Sequence, residues 1–180
     1  MVYCFLADGF EEVEAIAPID MLRRAGVEVK TVGVTGDVID GRHGIKVIPD
    51  IMIKDIVLDD NLEAVILPGG LPGAANLEES DDVQKAIDFA AGNGKYVCAI
   101  CAAPQILGHK GLLEGKEAIA YPGFESELKG SVISDEYVVL DGQFITAKGA
   151  GVATEFGLKI VEALKSRDLA DEIGKAIQMK

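Results

Sequence analysis

Cys101 stands where an apolar run, Tyr96-Val97-Cys98-Ala99-Ile100, gives way to Ala102-Ala103-Pro104-Gln105-Ile106-Leu107. The change of pattern predicts a strand that turns into a helix, with only small residues around the sulfur. A helix start carries unpaired N–H groups and roughly half a positive charge. A cysteine there can ionise with a pKa of about 3.5–7.5 instead of about 8.5, and the thiolate is the nucleophilic form. The competing reading of Cys101 is a small buried hydrophobe; its position favours the reactive one. Cys98 and Cys101 also spell C-x-x-C, the spacing of a redox pair. Extended geometry puts the two about 10 Å apart, at roughly 3.3 Å per residue, and a disulfide spans no more than about 7 Å between Cα atoms. Cys4 falls inside the first apolar run and reads as core.

A thiolate needs a proton carrier and a place for developing negative charge. Glu11, Glu12 and Glu14 follow the first apolar run. Glu11 and Glu12 read as solvated acids at a helix start, where they complement the dipole. Glu14 lies among Val13, Ala15 and Ile16, with Pro18 four residues on, unable to donate to its carbonyl. A carboxyl in that setting is a candidate for burial and for a raised pKa, so that it could donate a hydrogen bond to a thiolate and pass protons to a substrate. Pro68-Gly69-Gly70 closes another apolar run; it is either a plain turn or a place where backbone N–H groups approach a reacting atom. In the second case the N–H groups of Gly70 and Ala102 form an oxyanion hole. His109 is about 12 Å along a helix from Cys101 at 1.5 Å per residue, and His43 sits in the Gly41–Gly44 turn; both read as polar surface residues. No Cys/His spacing fits zinc, and neither a dinucleotide-binding nor a Walker-type glycine loop is present. No metal or cofactor is expected. Gly149-Ala150-Gly151, ahead of a helix, reads as a turn that could touch a small anion.

The elements that must position these residues alternate. Apolar strands are expected at 2–7, 27–34, 64–67, 96–100 and 117–121, and helices at 11–25, 80–91, 154–164 and 169–177. Ser80 is the expected N-cap of the second of these helices. A small hairpin is expected over 38–48, and a second one, 137–146, turning on Asp141-Gly142. Alternating strand and helix predicts an α/β fold with a mostly parallel sheet covered on both faces. Ligands of such sheets bind beyond the carboxyl ends of the strands. The loops at 8–14, 68–73 and 101–104 should therefore meet there.

The 180 residues suit a single domain spanning 1–180. With 49% hydrophobic and 26% charged residues the chain reads as a soluble globular protein. Its formal net charge of −13 disfavours nucleic acid and anionic membranes as partners. The first apolar run is short and lacks a basic lead, so it reads as a strand and not a signal peptide. Three cysteines, an odd number in a chain that needs no disulfide, point to free thiols and a cytoplasmic setting.

Taken together the motifs resemble the ThiJ/PfpI superfamily, in its DJ-one branch. The resemblance runs over nearly the whole chain: Asp8-Gly9-Phe10-Glu11-Glu12-Val13-Glu14, Asp20-Met21-Leu22-Arg23-Arg24-Ala25-Gly26, Leu67-Pro68-Gly69-Gly70, Gly73-Ala74-Ala75-Asn76-Leu77, Ala99-Ile100-Cys101-Ala102-Ala103-Pro104 and the late helix 156–164. It implies a flavodoxin-like three-layer sandwich that dimerises. It also implies a reactive Cys101, a protonated partner Glu14 and backbone donors at Gly70 and Ala102. Members are described as cofactor-free glyoxalases acting on methylglyoxal, as deglycases, as chaperones and as oxidative-stress sensors. The partners implied are a small aldehyde or peroxide and a second copy of the chain. One departure stands out: the family often places a histidine before a proline near the cysteine, and here Tyr121 precedes Pro122. Tyrosine is a poor base at neutral pH, with a pKa near 10, which leaves Glu14 to move protons alone. His43 aligns with an arginine that in relatives reaches across the dimer, and Arg24 is a further accessory candidate. The protease branch has a histidine directly after its cysteine, where this chain has Ala102. Glutamine amidotransferases have glycines where it has Ala99 and Ala103.

Overall fold

The computed structural model describes residues 1–179. In chain order the strands are β1 (Val2–Leu6), β2 (Val29–Gly33), β3 (Ile39–Asp40), β4 (Lys46–Val47), β5 (Ile51–Met52), β6 (Ala64–Leu67), β7 (Tyr96–Ile100), β8 (Glu117–Ala118), β9 (Val132–Ile133), β10 (Val138–Asp141) and β11 (Phe144–Ala147). The helices are α1 (Glu12–Arg24), α2 (Gly73–Glu79), α3 (Asp81–Gly92), α4 (Pro104–His109), α5 (Ala153–Leu164) and α6 (Arg167–Ala176). Seven strands form the main sheet in the order β10-β11-β7-β6-β1-β2-β5. Every neighbouring pair is parallel except β10 with β11.

Strand alternation divides the core into two layers. Val2, Cys4 and Leu6 of β1, with Cys98 and Ile100 of β7, face α1, α5 and α6. Tyr3, Phe5, Val97 and Ala99 face the opposite way, against α2, α3 and α4. Both faces are dry, which explains why these strands read as unbroken apolar runs. Burying each large aliphatic side chain contributes about 1.5–3 kcal/mol before entropy is counted. This is the α/β, flavodoxin-like sandwich expected from the sequence, with β3–β4 as its small antiparallel addition. Among the described residues no helix is long and apolar enough to cross a membrane.

Three local expectations need correction or confirmation. Ser80 is the N-cap of α3, its Oγ accepting from the Val83 N–H at 3.4 Å. The late hairpin turns on Gly142-Gln143, one residue beyond the expected Asp141-Gly142, because Gly142 (φ +60°) takes the first left-handed place and Asp141 pairs with Phe144. The expected strand 117–121 ends at Ala118. From there its donors leave the ladder: Ile119 N–H goes to Thr146 Oγ1 at 3.0 Å and Tyr121 N–H to the Cys101 carbonyl at 2.8 Å. The short β5 and α2 were not foreseen, since neither is long enough to show a period. Helix α1 runs unbroken through Pro18.

Candidate active site

The three expected loops do meet beyond the strand ends. Glu11 N–H donates to the Gly69 carbonyl at 2.9 Å, tying the loop after β1 to the loop after β6. Asn76 Nδ2 reaches the Asp8 carbonyl at 2.9 Å. Cys101 N–H continues the β7 ladder to the Ala147 carbonyl at 2.9 Å, and there the chain turns sharply. Cys101 itself adopts φ +65°, a left-handed conformation that a side chain rarely takes. Such strain persists only where surrounding bonds over-determine it. Its effect is to lift the sulfur off the sheet into a cavity of about 410 Å³.

Glu14 projects into the same cavity and is 1% exposed. Its Oε2 accepts from the Gly69 N–H at 3.0 Å, the Ala150 N–H donates to the same carboxyl, and its side chain hydrogen-bonds that of Cys101. Gly69 is required here: a Cβ would lie 2.6 Å from both Cys101 Cβ and Glu14 Oε2. Burial, only partly offset by these bonds, pushes the Glu14 pKa up to about 7. The N–H groups of Gly70 and Ala102 both donate to Cys101. Gly70 has φ +87°, a conformation natural to glycine, in aiming its N–H at the sulfur.

The expectation that a helix start alone ionises Cys101 is corrected. Helix α4 begins only at Pro104 and has six residues. Burial, then the negative charge of Glu14, push the Cys101 thiol up to about 12 against the pull of the two N–H donors. The two side chains titrate as a pair: the first proton leaves near pH 7 and the second only in strong alkali. Over the range between, the pair carries one negative charge and one proton, joined by the Cys101–Glu14 hydrogen bond. Cys4 and Cys98 differ; both are fully buried, and desolvation holds Cys4 at about 12 and Cys98 higher still. All three cysteines are free.

Other candidates fall on either side of the cavity wall. Tyr121 lines it and is half exposed. His43 also lines it, and its Nδ1 sits 3.3 Å from Glu11 Oε1 and 3.0 Å from Glu12 Oε2. Arg24 does not line it; its Nε pairs with Asp20 Oδ2 at 2.9 Å one turn back on α1. Glu12, expected in solvent, is buried at 5% exposure, because the β3–β4 turn closes over it. Its Oε1 accepts from the N–H groups of His43 and Ile45 at 2.8 and 3.3 Å. Glu11, Glu12 and His43 bring one ligand atom each within 4.8 Å of one another, as a metal site would. Here the His43 ring pairs with both carboxyls. His109 lies elsewhere, bridging Glu78 and Glu127. Sequence reasoning missed Arg42 on the cavity wall and the role of Ala150. The Gly149-Ala150-Gly151 segment, which reads as a turn, supplies the Ala150 N–H to the Glu14 carboxyl.

The sequence profile of the DJ-1/PfpI family matches residues 1–163. Protein dj-1beta of Drosophila melanogaster is 36% identical over 175 residues, covering 96% of this chain and 93% of its own length. The glutathione-independent glyoxalase DJR-1.2 of Caenorhabditis elegans is 31% identical over 168 residues, 93% of this chain and 89% of its own. Protein DJ-1 homolog A of Arabidopsis thaliana is 35% identical over 97% of this chain, which spans only 45% of that relative's length. Among solved structures, oxidized Toxoplasma gondii DJ-1 superposes with a TM-score of 0.94 at 32% identity, over 99% of this chain and 97% of that one. With the cysteine elbow, its carboxyl partner and the sandwich that presents them, these matches establish that the chain belongs to the DJ-1/PfpI family.

Proposed function

We propose that this chain is a cofactor-free glyoxalase that converts α-oxoaldehydes such as methylglyoxal to 2-hydroxy acids. The observation that carries the reading is the hydrogen-bonded pair of Cys101 and a buried Glu14 whose pKa lies at about 7. A group with that pKa serves as acid and as base at neutral pH. A relative named as a glutathione-independent glyoxalase supports the reaction class.

The reaction starts when the monoanionic pair passes its proton from Cys101 to Glu14 along the hydrogen bond between them. The Cys101 thiolate adds to the aldehyde carbon, and the N–H groups of Gly70 and Ala102 hold the new alkoxide. Glu14 gives that oxygen its proton, leaving a hemithioacetal and a carboxylate. The carboxylate removes the hydrogen from the former aldehyde carbon, forming an enediolate, and returns it to the adjacent carbon. The hydroxyl proton shifts to the neighbouring oxygen, which yields a 2-hydroxyacyl thioester. Water then attacks the thioester; Glu14 takes the water proton, the acyl group keeps the hydroxyl, and the Cys101 thiolate departs. The sum is oxoaldehyde plus water to hydroxy acid, with no net oxidation. Incubation with methylglyoxal should give lactate at a rate abolished in Cys101→Ser. Equal lactate from wild type and Cys101→Ser would discard the activity.

A second reading has its own support: Cys101 is the one thiol open to a cavity, and the residue on its wall before Pro122 is Tyr121, not a histidine. In it, peroxide converts the Cys101 thiolate to sulfenic acid with loss of hydroxide. A second peroxide gives sulfinic acid and water. Glu14, when protonated, donates to the oxidised sulfur. Mild peroxide should then place two oxygens on Cys101 and spare Cys4 and Cys98, by mass spectrometry; equal oxidation of all three counts against it. We also propose a homodimer. Ile16 of α1 and Ile48 beyond β4 line one surface hollow and are 45% and 79% exposed. A second copy would cover these two exposed side chains, and Ile16→Glu should halve the mass measured by light scattering.

A further inference from the structure

The cavity around Cys101 does not end at Tyr121. Adjoining it is a second cavity of about 410 Å³, bounded by Tyr121, Pro122, Tyr137, Lys148 and the turn from Gly149 to Val152. Tyr121 and Ala150 belong to the walls of both. Tyr121 is held from its backbone, through its N–H on the Cys101 carbonyl. Its ring lies along Gly149, where a Cβ would stand 3.2 Å from Tyr121 Cδ2. Tyr137 is 59% exposed, and the Lys148 ammonium sits 4.9 Å from its ring centroid. Large exposed aromatics beside a reactive centre, held by a cation over one ring, are what a recognition subsite offers. A triose-sized aldehyde needs only the first cavity.

We propose that the second cavity is a subsite for the tail of larger α-oxoaldehydes, and that the tail it takes is a planar aryl group. The inference rests on the glyoxalase reading and extends it. With the aldehyde carbon on Cys101 and its oxygen on the Gly70 and Ala102 donors, the substituent on the neighbouring carbon is the part that varies between substrates. Passing over Tyr121, it meets the Tyr137 ring, with Pro122 and Val152 as apolar walls. Tyr137 is a specificity residue in this account and takes no part in the chemistry.

The test compares wild type, Tyr137→Ala and Tyr137→Phe with two reagent pairs. The first is phenylglyoxal against methylglyoxal, read as the ratio of kcat/KM for hydroxy acid formation. The second needs no turnover: N-phenylmaleimide against N-methylmaleimide, read as the ratio of alkylation rates at Cys101 by peptide mass. Both phenyl-to-methyl ratios should fall about five- to tenfold in Tyr137→Ala and stay within about twofold of wild type in Tyr137→Phe, as expected for a ring contact. Unchanged ratios in Tyr137→Ala, or an equal loss in Tyr137→Phe, would overturn the subsite. Were methylglyoxal not turned over at all, the glyoxalase reading would fail. The maleimide ratio alone would then uphold or overturn the subsite.

Discussion

On the hairpin side of the first turn of α1, Glu12 is 5% exposed; on the cavity side, Glu14 is 1% exposed. Burial opposes ionisation of both. At Glu12 it is outweighed by the carboxyl's own N–H, the ring and N–H of His43 and the N–H of Ile45, which hold it below the usual carboxylate range. At Glu14 burial prevails over the bonds from Cys101, Gly69 and Ala150, with Glu11 adding to the rise. Two acids of similarly low exposure on one helical turn thus do different work. Glu12 is a fixed anion that organises the β3–β4 turn. Glu14 keeps a proton that can move at neutral pH. Depth and donors together separate the structural acid from the reactive one: far more protein surrounds the Glu14 carboxyl, and its donors do not offset that desolvation.

The largest expected effect is on rate. Glu14→Gln keeps the shape but cannot carry a proton, so lactate formation should fall by about 10²–10⁴, measured as kcat. The same substitution should raise stability. The folded pKa of Glu14, about 7, lies above its ordinary 4.5, so stability is greatest below pH 4.5 and falls as pH rises to 7. The fall amounts to roughly 3 kcal/mol at about 1.4 kcal/mol per unit. Urea unfolding of Glu14→Gln between pH 4.5 and 7 should show that slope flattened.

Glu12→Ala reverses the pattern. It strands the N–H groups of His43 and Ile45 and should cost about 1–3 kcal/mol of unfolding free energy. Cys101 alkylation at pH 7 should stay within about threefold of wild type, because Glu12 contributes no hydrogen bond to the pair. A tenfold loss of alkylation would dissolve the distinction between the two acids. The smallest effect belongs to His109. Its bonds to Glu78 and Glu127 raise its pKa, so its stabilisation is complete below about pH 6.5 and fades as pH rises through the folded value. Partly exposed pairs of this kind are worth no more than about 1 kcal/mol, and His109→Gln should remove that slope and leave lactate formation unaffected.

Much of this was legible in the sequence. The apolar runs of β1, β6 and β7 are buried on both faces and carry no ambiguity, and they placed the three loops at one end of the sheet. Cys101 could be picked out because a strand-to-helix change surrounds it with small residues. The raised pKa of Glu14 could be anticipated from its apolar neighbours. The burial of Glu12 did not, because what covers it is a turn about thirty residues away, brought in by the Gly41 bridge to Phe10. Ala150 was hidden for a similar reason: its contribution is a backbone N–H, which no residue type announces. The titration of Cys101 was misjudged because the sequence shows the approaching helix but not the burial or the adjacent negative charge.

The central claim is that Cys101 and Glu14 share one proton near neutral pH. The direct measurement is the rate of Cys101 alkylation by iodoacetamide against pH, in wild type and in Glu14→Gln. The account predicts a wild-type inflection near pH 7, more than a unit below that of a free thiol at about 8.5. In Glu14→Gln the inflection should move above about 8.5, with at least a tenfold loss of rate at pH 7. Superimposable curves, or a wild-type sulfur that reacts no faster than free glutathione, would contradict it.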